Sequence, residues 1–350
     1  MNKKILATFS TDWHIKDDNT EQIIDLVTQQ CELNKKVGCH YMICLGDIFT
    51  AKVKSGSTWN TKSLMQTEIN CFDRVLQIIK SYNITLIAIV GNHDKSDGNK
   101  EYSFLDQFRF HPNFQLVSDF DEIDIIEGVR FCCISYFKDE KWLESFNKLS
   151  PLKNGINILL SHRAFNGSVN NDRTKVEQSI NPSVVKSYDS VFLGHYHNKS
   201  KIGSNIFHLP SIQQNNFGED EDKGFTVLYE DGSHELVHSK FKKFIKVNID
   251  LSETSVKELN EYINEYQKDT QQAYIRFVIS GEEEVLKSIK KDKFLQAGID
   301  IKTKSSDIGI VEEFDSVEIN KYTEESIVEE FKEFCEDRSL DFDEGLKYLK

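Results

Sequence analysis

Five short stretches carry the residue types that could do chemistry: Thr11-Asp12-Trp13-His14, Gly46-Asp47, Gly91-Asn92-His93-Asp94, His162, and Gly194-His195-Tyr196-His197. A spacing such as that of Asp12 and His14 is expected about 0.8 times by chance in a chain of this composition, whereas Gly-Asn-His-Asp is expected about 0.003 times. The set offers the carboxylates of Asp12 and Asp47, the carboxamide of Asn92 and several imidazoles, with no thiolate. That donor mixture suits Mn²⁺, Fe²⁺ or Zn²⁺. There are more donors than one ion needs. A carboxylate can bridge two cations, which lower the pKa of a shared water and neutralise a phosphoryl group under attack. The chemistry implied is phosphoester hydrolysis.

For donors spread from Asp12 to His197 to meet, the elements before them must end at one place. Each stretch follows an apolar run: "ATFS", "YMICL", "ITLIAIV", "INILLS" and "SVFL". In an α/β core the carboxyl ends of the strands form a common rim where sites are built. Helix-type patterns alternate with these runs. One helix is expected from Thr20, with Asn19 and Gln22 placed like a capping box and Gly38 as its stop. A second runs from about Thr61 to Ser81, with Leu64, Met65, Ile69, Phe72, Val75, Leu76 and Ile79 at helical spacing. "VRFCCISYF" is a further strand, and Asn181 with Pro182 opens a short helix. Beyond His197, "SNIFHLP" and "GFTVLYEDGSHELVHSKF" read as antiparallel strands, the latter pair turning at Asp231-Gly232. From Phe241 the pattern changes to "KFIKVNIDL", a polar helix from Glu253 to Lys268, "QAYIRFVIS" and a helix from Glu282 to Asp292. The expected division is a catalytic domain over 1–240, a small α+β domain over 241–308 and an acidic helical tail over 309–350.

Composition narrows the class. With 350 residues and 39% hydrophobic content the chain can bury a large core and a smaller second one. It has no apolar run of membrane-spanning length, and "MNKKILATFSTDWH" lacks the apolar stretch of a signal peptide, so a cytosolic protein is expected. Seven cysteines occur without a CxxC spacing, which fits buried, reduced thiols. The net charge of −14 excludes a protein that holds nucleic acid by its overall field. Residues 311–350 supply most of it, with 14 acidic against 5 basic side chains.

The blocks D-x-H, G-D, G-N-H-D, H and G-H-x-H, over Asp12 to His197, resemble the calcineurin-like metallophosphoesterase superfamily. Within it the chain is similar to the SbcD nuclease family, which includes a recombination nuclease subunit of T-even bacteriophages. Gly46-Asp47-Ile48-Phe49, the segment "LPSIQQNNFGEDEDKGF" and the small domain after it carry that narrower likeness. No arginine follows Gly46-Asp47 as in the GDxVDRG block of phosphoprotein phosphatases. The resemblance implies a β-sandwich core flanked by helices, with a small capping domain. It implies Asp12, His14, Asp47 and His197 on one metal ion and Asp47, Asn92, His162 and His195 on the other, with Mn²⁺ as the expected cofactor. His93 would position the scissile phosphate or protonate the leaving oxygen. Asp94 would either orient His93 or make a structural bond to neighbouring backbone. The activity implied is that of a DNA nuclease subunit, a 3′ to 5′ double-strand exonuclease and single-strand endonuclease working with an SbcC-type ABC ATPase. The enzymatic alternative is a phosphomonoesterase or cyclic-nucleotide phosphodiesterase on the same core.

An acidic protein that handles DNA needs local positive charge. Lys16, Lys52, Lys95, Arg163 and Lys199 lie near the metal blocks and form a candidate basic rim for backbone phosphates. In the tail, Ile327, Val328, Phe331, Phe334 and Cys335 form one apolar stripe, a candidate docking helix for the ATPase. Tyr102, Phe104, Leu105, Phe108 and Phe110 are core residues or a homodimer contact.

Overall fold

A computed structural model describes residues 3–55, 58–171, 173–177 and 179–305. The tail expected over 309–350, with its apolar stripe, lies outside the described residues. The strands in chain order are β1 (Ile5–Ser10), β2 (Tyr41–Cys44), β3 (Lys52–Ser55), β4 (Thr58–Thr61), β5 (Thr85–Ile89), β6 (Phe114–Val117), β7 (Phe120–Ile126), β8 (Val129–Ile134) and β9 (Ile156–His162). They continue as β10 (Ser190–Gly194), β11 (Ser200–Ile202), β12 (Ile206–His208), β13 (Gly224–Tyr229), β14 (His234–His238), β15 (Lys243–Asp250), β16 (Ala273–Gly281) and β17 (Ile299–Ser305). The α-helices are α1 (Thr20–Val37), α2 (Gln66–Ser81), α3 (Asp139–Phe146), α4 (Val256–Tyr266), α5 (Glu283–Lys287) and α6 (Lys291–Gln296).

Two six-stranded sheets face one another, ordered β14-β13-β1-β2-β5-β6 and β11-β12-β10-β9-β8-β7. Their central strands are apolar on both faces because both faces are covered, as strand periodicity requires. Ile43, Ile87 and Ile89 meet Phe131, Cys133, Ile158, Leu160 and Phe192 between the sheets. Met42, Cys44, Leu86 and Ala88 point the other way, onto Leu26 and Val27 of α1 and Phe72, Val75 and Leu76 of α2. On the far side, Cys132, Ile134, Leu159, Val191 and Leu193 pack with Trp142 of α3 and with Phe165. The result is a mixed α/β sandwich flanked by helices. The sandwich implied by the resemblance is what the chain forms, and the common rim of strand ends is shared by its two sheets. Strands β1, β2 and β5 are parallel in one and β9 and β10 are parallel in the other, and the donors follow their carboxyl ends.

Local chemistry accounts for several departures from the expected elements. Asn19 precedes α1, but its side chain makes no capping bond there. It accepts from Lys16 N–H at 2.8 Å and donates to the His14 carbonyl at 2.9 Å, tying down the donor loop instead. Helix α2 begins at Gln66 because Thr58–Thr61 is drawn into β4, and the Glu68 carboxylate then accepts from Met65 N–H at 2.7 Å. The helix expected over Glu282–Asp292 is two short ones, with the Ser288 hydroxyl bonded to the Val285 carbonyl at 2.6 Å where the first ends. Strands β6 and β7 were not expected, since the acidic residues of "FDEIDII" conceal a half-buried edge strand.

Strands β15, β16 and β17 form a separate all-parallel sheet joined through α4 and through α5 and α6. It has its own core, with Phe277, Ile275 and Ile279 packed on Leu259, Ile263 and Phe294. Phe217 and Phe244 meet edge to face at 5.0 Å between this sheet and the loop before β13. Among the described residues, six cysteines are buried with free thiols. Among the described residues no helix is long and apolar enough to cross a membrane.

Candidate metal centre

The loops after β1 and β2 are zipped together by backbone bonds. Asp12 N–H donates to the Gly46 carbonyl and His14 N–H to the Asp47 carbonyl, both at 3.0 Å. This brings Asp12, His14 and Asp47 side by side although more than 30 residues of chain separate the blocks. Asp12, His14, Asp47 and His195 all have positive φ, at 52°, 51°, 52° and 91°. Non-glycine residues hold that conformation at a cost, and such strain clusters at functional sites. The glycines of the blocks are set by close approach. A Cβ on Gly91 would lie 2.1 Å from Asp47 Oδ1, and one on Gly194 would lie 2.2 Å from Thr11 Oγ1.

Two groups of donors result. Asp12, His14 and His197 form one, and Asp47, His162 and His195 the other. In the first, Asp12 Oδ1 lies 3.8 Å from His14 Nε2 and 3.7 Å from His197 Nε2, while those two nitrogens are 3.1 Å apart. In the second, Asn92 Oδ1 lies 3.0 Å from His162 Nε2 and 2.8 Å from His195 Nδ1. Asp47 joins them, because its Oδ2 is 3.2 Å from His162 Nε2 and 3.9 Å from His14 Nε2. Its other oxygen accepts from His93 N–H at 2.8 Å.

The imidazoles are held from behind. His162 Nδ1 donates to the Leu45 carbonyl at 2.6 Å, His14 Nδ1 lies 3.1 Å from Thr50 Oγ1, and His197 Nδ1 donates to the Glu219 carboxylate at 2.6 Å. Each bond turns Nε2 toward the centre, as carbonyl and carboxylate partners do in metal sites. Burial pushes the His14 and His195 rings well below the usual histidine range, so they are neutral, which is the ligating form. Burial also raises Asp12. Burial opposes charge at Asp47 too, but the neighbouring His162, His93 and His14 outweigh it and hold that carboxyl well below its usual range. Burial works against a charged His162 as well, yet Asp47 carries it up to about 9.

The donors fit divalent cations. Asp12 Oδ1 is a buried carboxylate oxygen without a hydrogen-bond partner, facing two imidazole nitrogens that approach each other to 3.1 Å. An orphaned buried charge of that kind is costly unless a cation occupies its front. Two carboxylates, a carboxamide and four imidazoles in two groups that share Asp47 make a dinuclear donor set.

The calcineurin-like phosphoesterase family pattern matches residues 6–199, which include every one of these donors. The chain belongs to the calcineurin-like phosphoesterase family. Among viral proteins it is 26% identical over 303 residues to "Putative phosphoesterase 244L" of Invertebrate iridescent virus 6, covering 83% of this chain and 99% of that one. It is 23% identical to a subunit of the nuclease SbcCD of Staphylococcus epidermidis, covering 96% of this chain and 94% of the relative. Its identity with Exonuclease subunit 1 of Enterobacteria phage T4 is 24%, over 62% of each chain.

Around this phosphoesterase centre other expected residues take different places. His93 is half-buried, with its ring edge-on to His14 at 5.1 Å between centroids. Asp94 is buried, and its two oxygens accept from Phe49 N–H and Gly91 N–H at 2.8 Å each. It braces the backbone of both donor loops, and burial lifts its pKa to about 7. Of the expected basic rim, Lys16 and Lys52 are half-buried, and the other three are engaged in the protein's own contacts. Lys95 is buried, donating to the carbonyls of Lys100 and Tyr136 and lying over the Phe137 ring. Arg163 is buried against Trp142 and paired with Asp139 at 2.7 Å. Lys199 is exposed and paired with Asp222. Sequence reasoning missed Glu219 and Lys223, both fully buried behind His197. The only signal was their place in "GEDEDKGF", where four successive acidic residues gave no reason to choose one.

Proposed function

We propose that this chain is a DNA nuclease, the phosphodiesterase subunit of an SbcCD-type recombination and repair complex, acting as a 3′ to 5′ double-strand exonuclease and single-strand endonuclease with Mn²⁺. The observation that carries this reading is the similarity to an SbcCD nuclease subunit along 96% of the chain, which spans the three-stranded unit of β15–β17 as well as the metal centre. Asp12, His14, Asp47 and His197 would hold one cation and Asp47, Asn92, His162 and His195 the other. When bound, two divalent cations supply activation of water and neutralisation of charge on a phosphodiester.

The chain's own residues do the rest. Asp47 is shared, and the His93 N–H fixes its orientation. The His93 ring, beside His14, is placed to hold the scissile phosphate or deliver a proton to the leaving oxygen. An SbcC-type ABC ATPase with a coiled coil is the partner, a homodimer the assembly and the cytoplasm of the bacterial or infected cell the location. The test is hydrolysis of linear duplex DNA against a small aryl phosphate by purified, manganese-loaded protein. Degradation of DNA with little turnover of the aryl phosphate is expected; the reverse preference would turn the reading to a phosphomonoesterase.

A further inference from the structure

Behind the first donor group lies a buried ion pair that, among the described residues, has no counterpart behind the second. Glu219 Oε1 accepts from His197 Nδ1 at 2.6 Å and from Asn216 Nδ2 at 2.8 Å; its Oε2 accepts from Asn215 N–H at 3.1 Å and lies 3.3 Å from Lys223 Nζ. Lys223 Nζ in turn donates to the His197 carbonyl at 2.6 Å and to Asn198 Oδ1 at 2.9 Å. Both side chains are 0% exposed. The pair therefore grips one histidine at its ring and at its backbone. Desolvating two charges is costly, and a pair so placed adds little to stability compared with apolar residues of the same size. Its geometry instead serves His197, whose Nε2 is turned toward Asp12 and His14.

The second donor group is supported differently. His162 leans on the Leu45 carbonyl, a neutral acceptor, and the carboxamide of Asn92 stands where the first group has the carboxylate of Asp12. An anionic acceptor raises the basicity of a ligating imidazole more than a neutral one, and loss of such a partner costs about 10–100-fold in metal affinity.

We infer that Glu219 and Lys223 are positioning residues that make the Asp12–His14–His197 position the tighter of the two cation sites. The inference rests on the dinuclear reading of the centre and is independent of whether the substrate is DNA. Glu219→Gln keeps the shape and the acceptor for His197 but removes the charge. Glu219→Gln with Lys223→Met removes both charges and leaves no orphaned ammonium. Manganese binding to metal-stripped protein, followed by calorimetry and by the spin-resonance signal of free Mn²⁺, reads the two affinities directly, with the thermal stability of the stripped protein recorded beside them. In wild type two unequal constants are expected. In the variants the tighter one should weaken by about tenfold or more while the other moves by less than about threefold. Unchanged constants in a folded variant, equal weakening of both, or loss of the fold in both variants would overturn the assignment. Wild-type protein that binds no manganese would instead count against the dinuclear centre itself.

Discussion

At the level of single residues, most of the donor set was legible because each donor sits in a block whose neighbours are constrained too. Gly91 is an example: the space a methyl would need is taken by Asp47 Oδ1 at 2.1 Å. Gly91→Ala should therefore displace the shared carboxylate and lower manganese-dependent hydrolysis by about 100-fold, the cost of a misplacement near 1 Å, in a protein whose circular dichroism is unchanged. His93→Ala should retain both ions, as counted by metal analysis, yet lose about 100-fold in turnover. Retained turnover would remove His93 from the reaction. What the sequence hid at this scale was burial. Lys95 and Arg163 stand next to donors in the chain and look like a phosphate-binding rim, but both are packed on aromatic rings inside the protein. Proximity along a chain does not say which way a side chain leaves it. Glu219 was hidden for the converse reason, since a buried anion among exposed ones has no distinctive spacing.

Among elements, apolar runs leading into the Thr11, Gly46, Gly91, His162 and Gly194 blocks marked the central strands and their carboxyl ends, while the partition into two sheets was not readable from runs that are apolar on both faces and came only from the family resemblance. Asn19 shows how a helix-start signal can be spent elsewhere, because its side chain bonds the His14 carbonyl and Lys16 N–H. Asn19→Ala should consequently weaken manganese binding, measured by titration, while helix content stays the same; a loss of helicity with intact binding would restore it to a capping role. Strand β12 contributes a different test. His208 is buried and holds a neutral ring 2.8 Å from Ser168 Oγ, and burial pushes its pKa down to about 4. The unfolded chain takes up that proton at the ordinary histidine value, so the native state loses stability as pH falls from about 6.5 to about 4. The contribution is at most about 3 kcal/mol. Denaturant unfolding of His208→Gln should show a shallower pH dependence than wild type across that window, and an identical slope would contradict the buried neutral ring.

For the whole molecule, a net charge of −14, with Lys95 and Arg163 buried and Lys199 paired with Asp222, would leave a DNA-handling protein little free positive charge beside the metal centre. On the proposed nuclease reading, cations at the centre and a partner protein would supply the rest, which makes the acidic stretch over 309–350 a natural place to look for docking. Removing residues 322–350 should abolish co-purification with an SbcC-type ATPase and leave hydrolysis by the isolated chain in place; unchanged association would refute the tail's role. The change of pattern near Phe241 was visible in the sequence and coincides with a separate three-stranded sheet, although its all-parallel pairing required the third strand, β17, that the sequence pattern did not disclose. The account as a whole depends on donors from five strands enclosing two ions. An anomalous difference map from manganese-loaded crystals tests it most directly. Two peaks per chain are predicted, one among Asp12, His14 and His197 and one among Asn92, His162 and His195, with Asp47 between them. A map with no peak there, or with manganese bound only elsewhere, would contradict it.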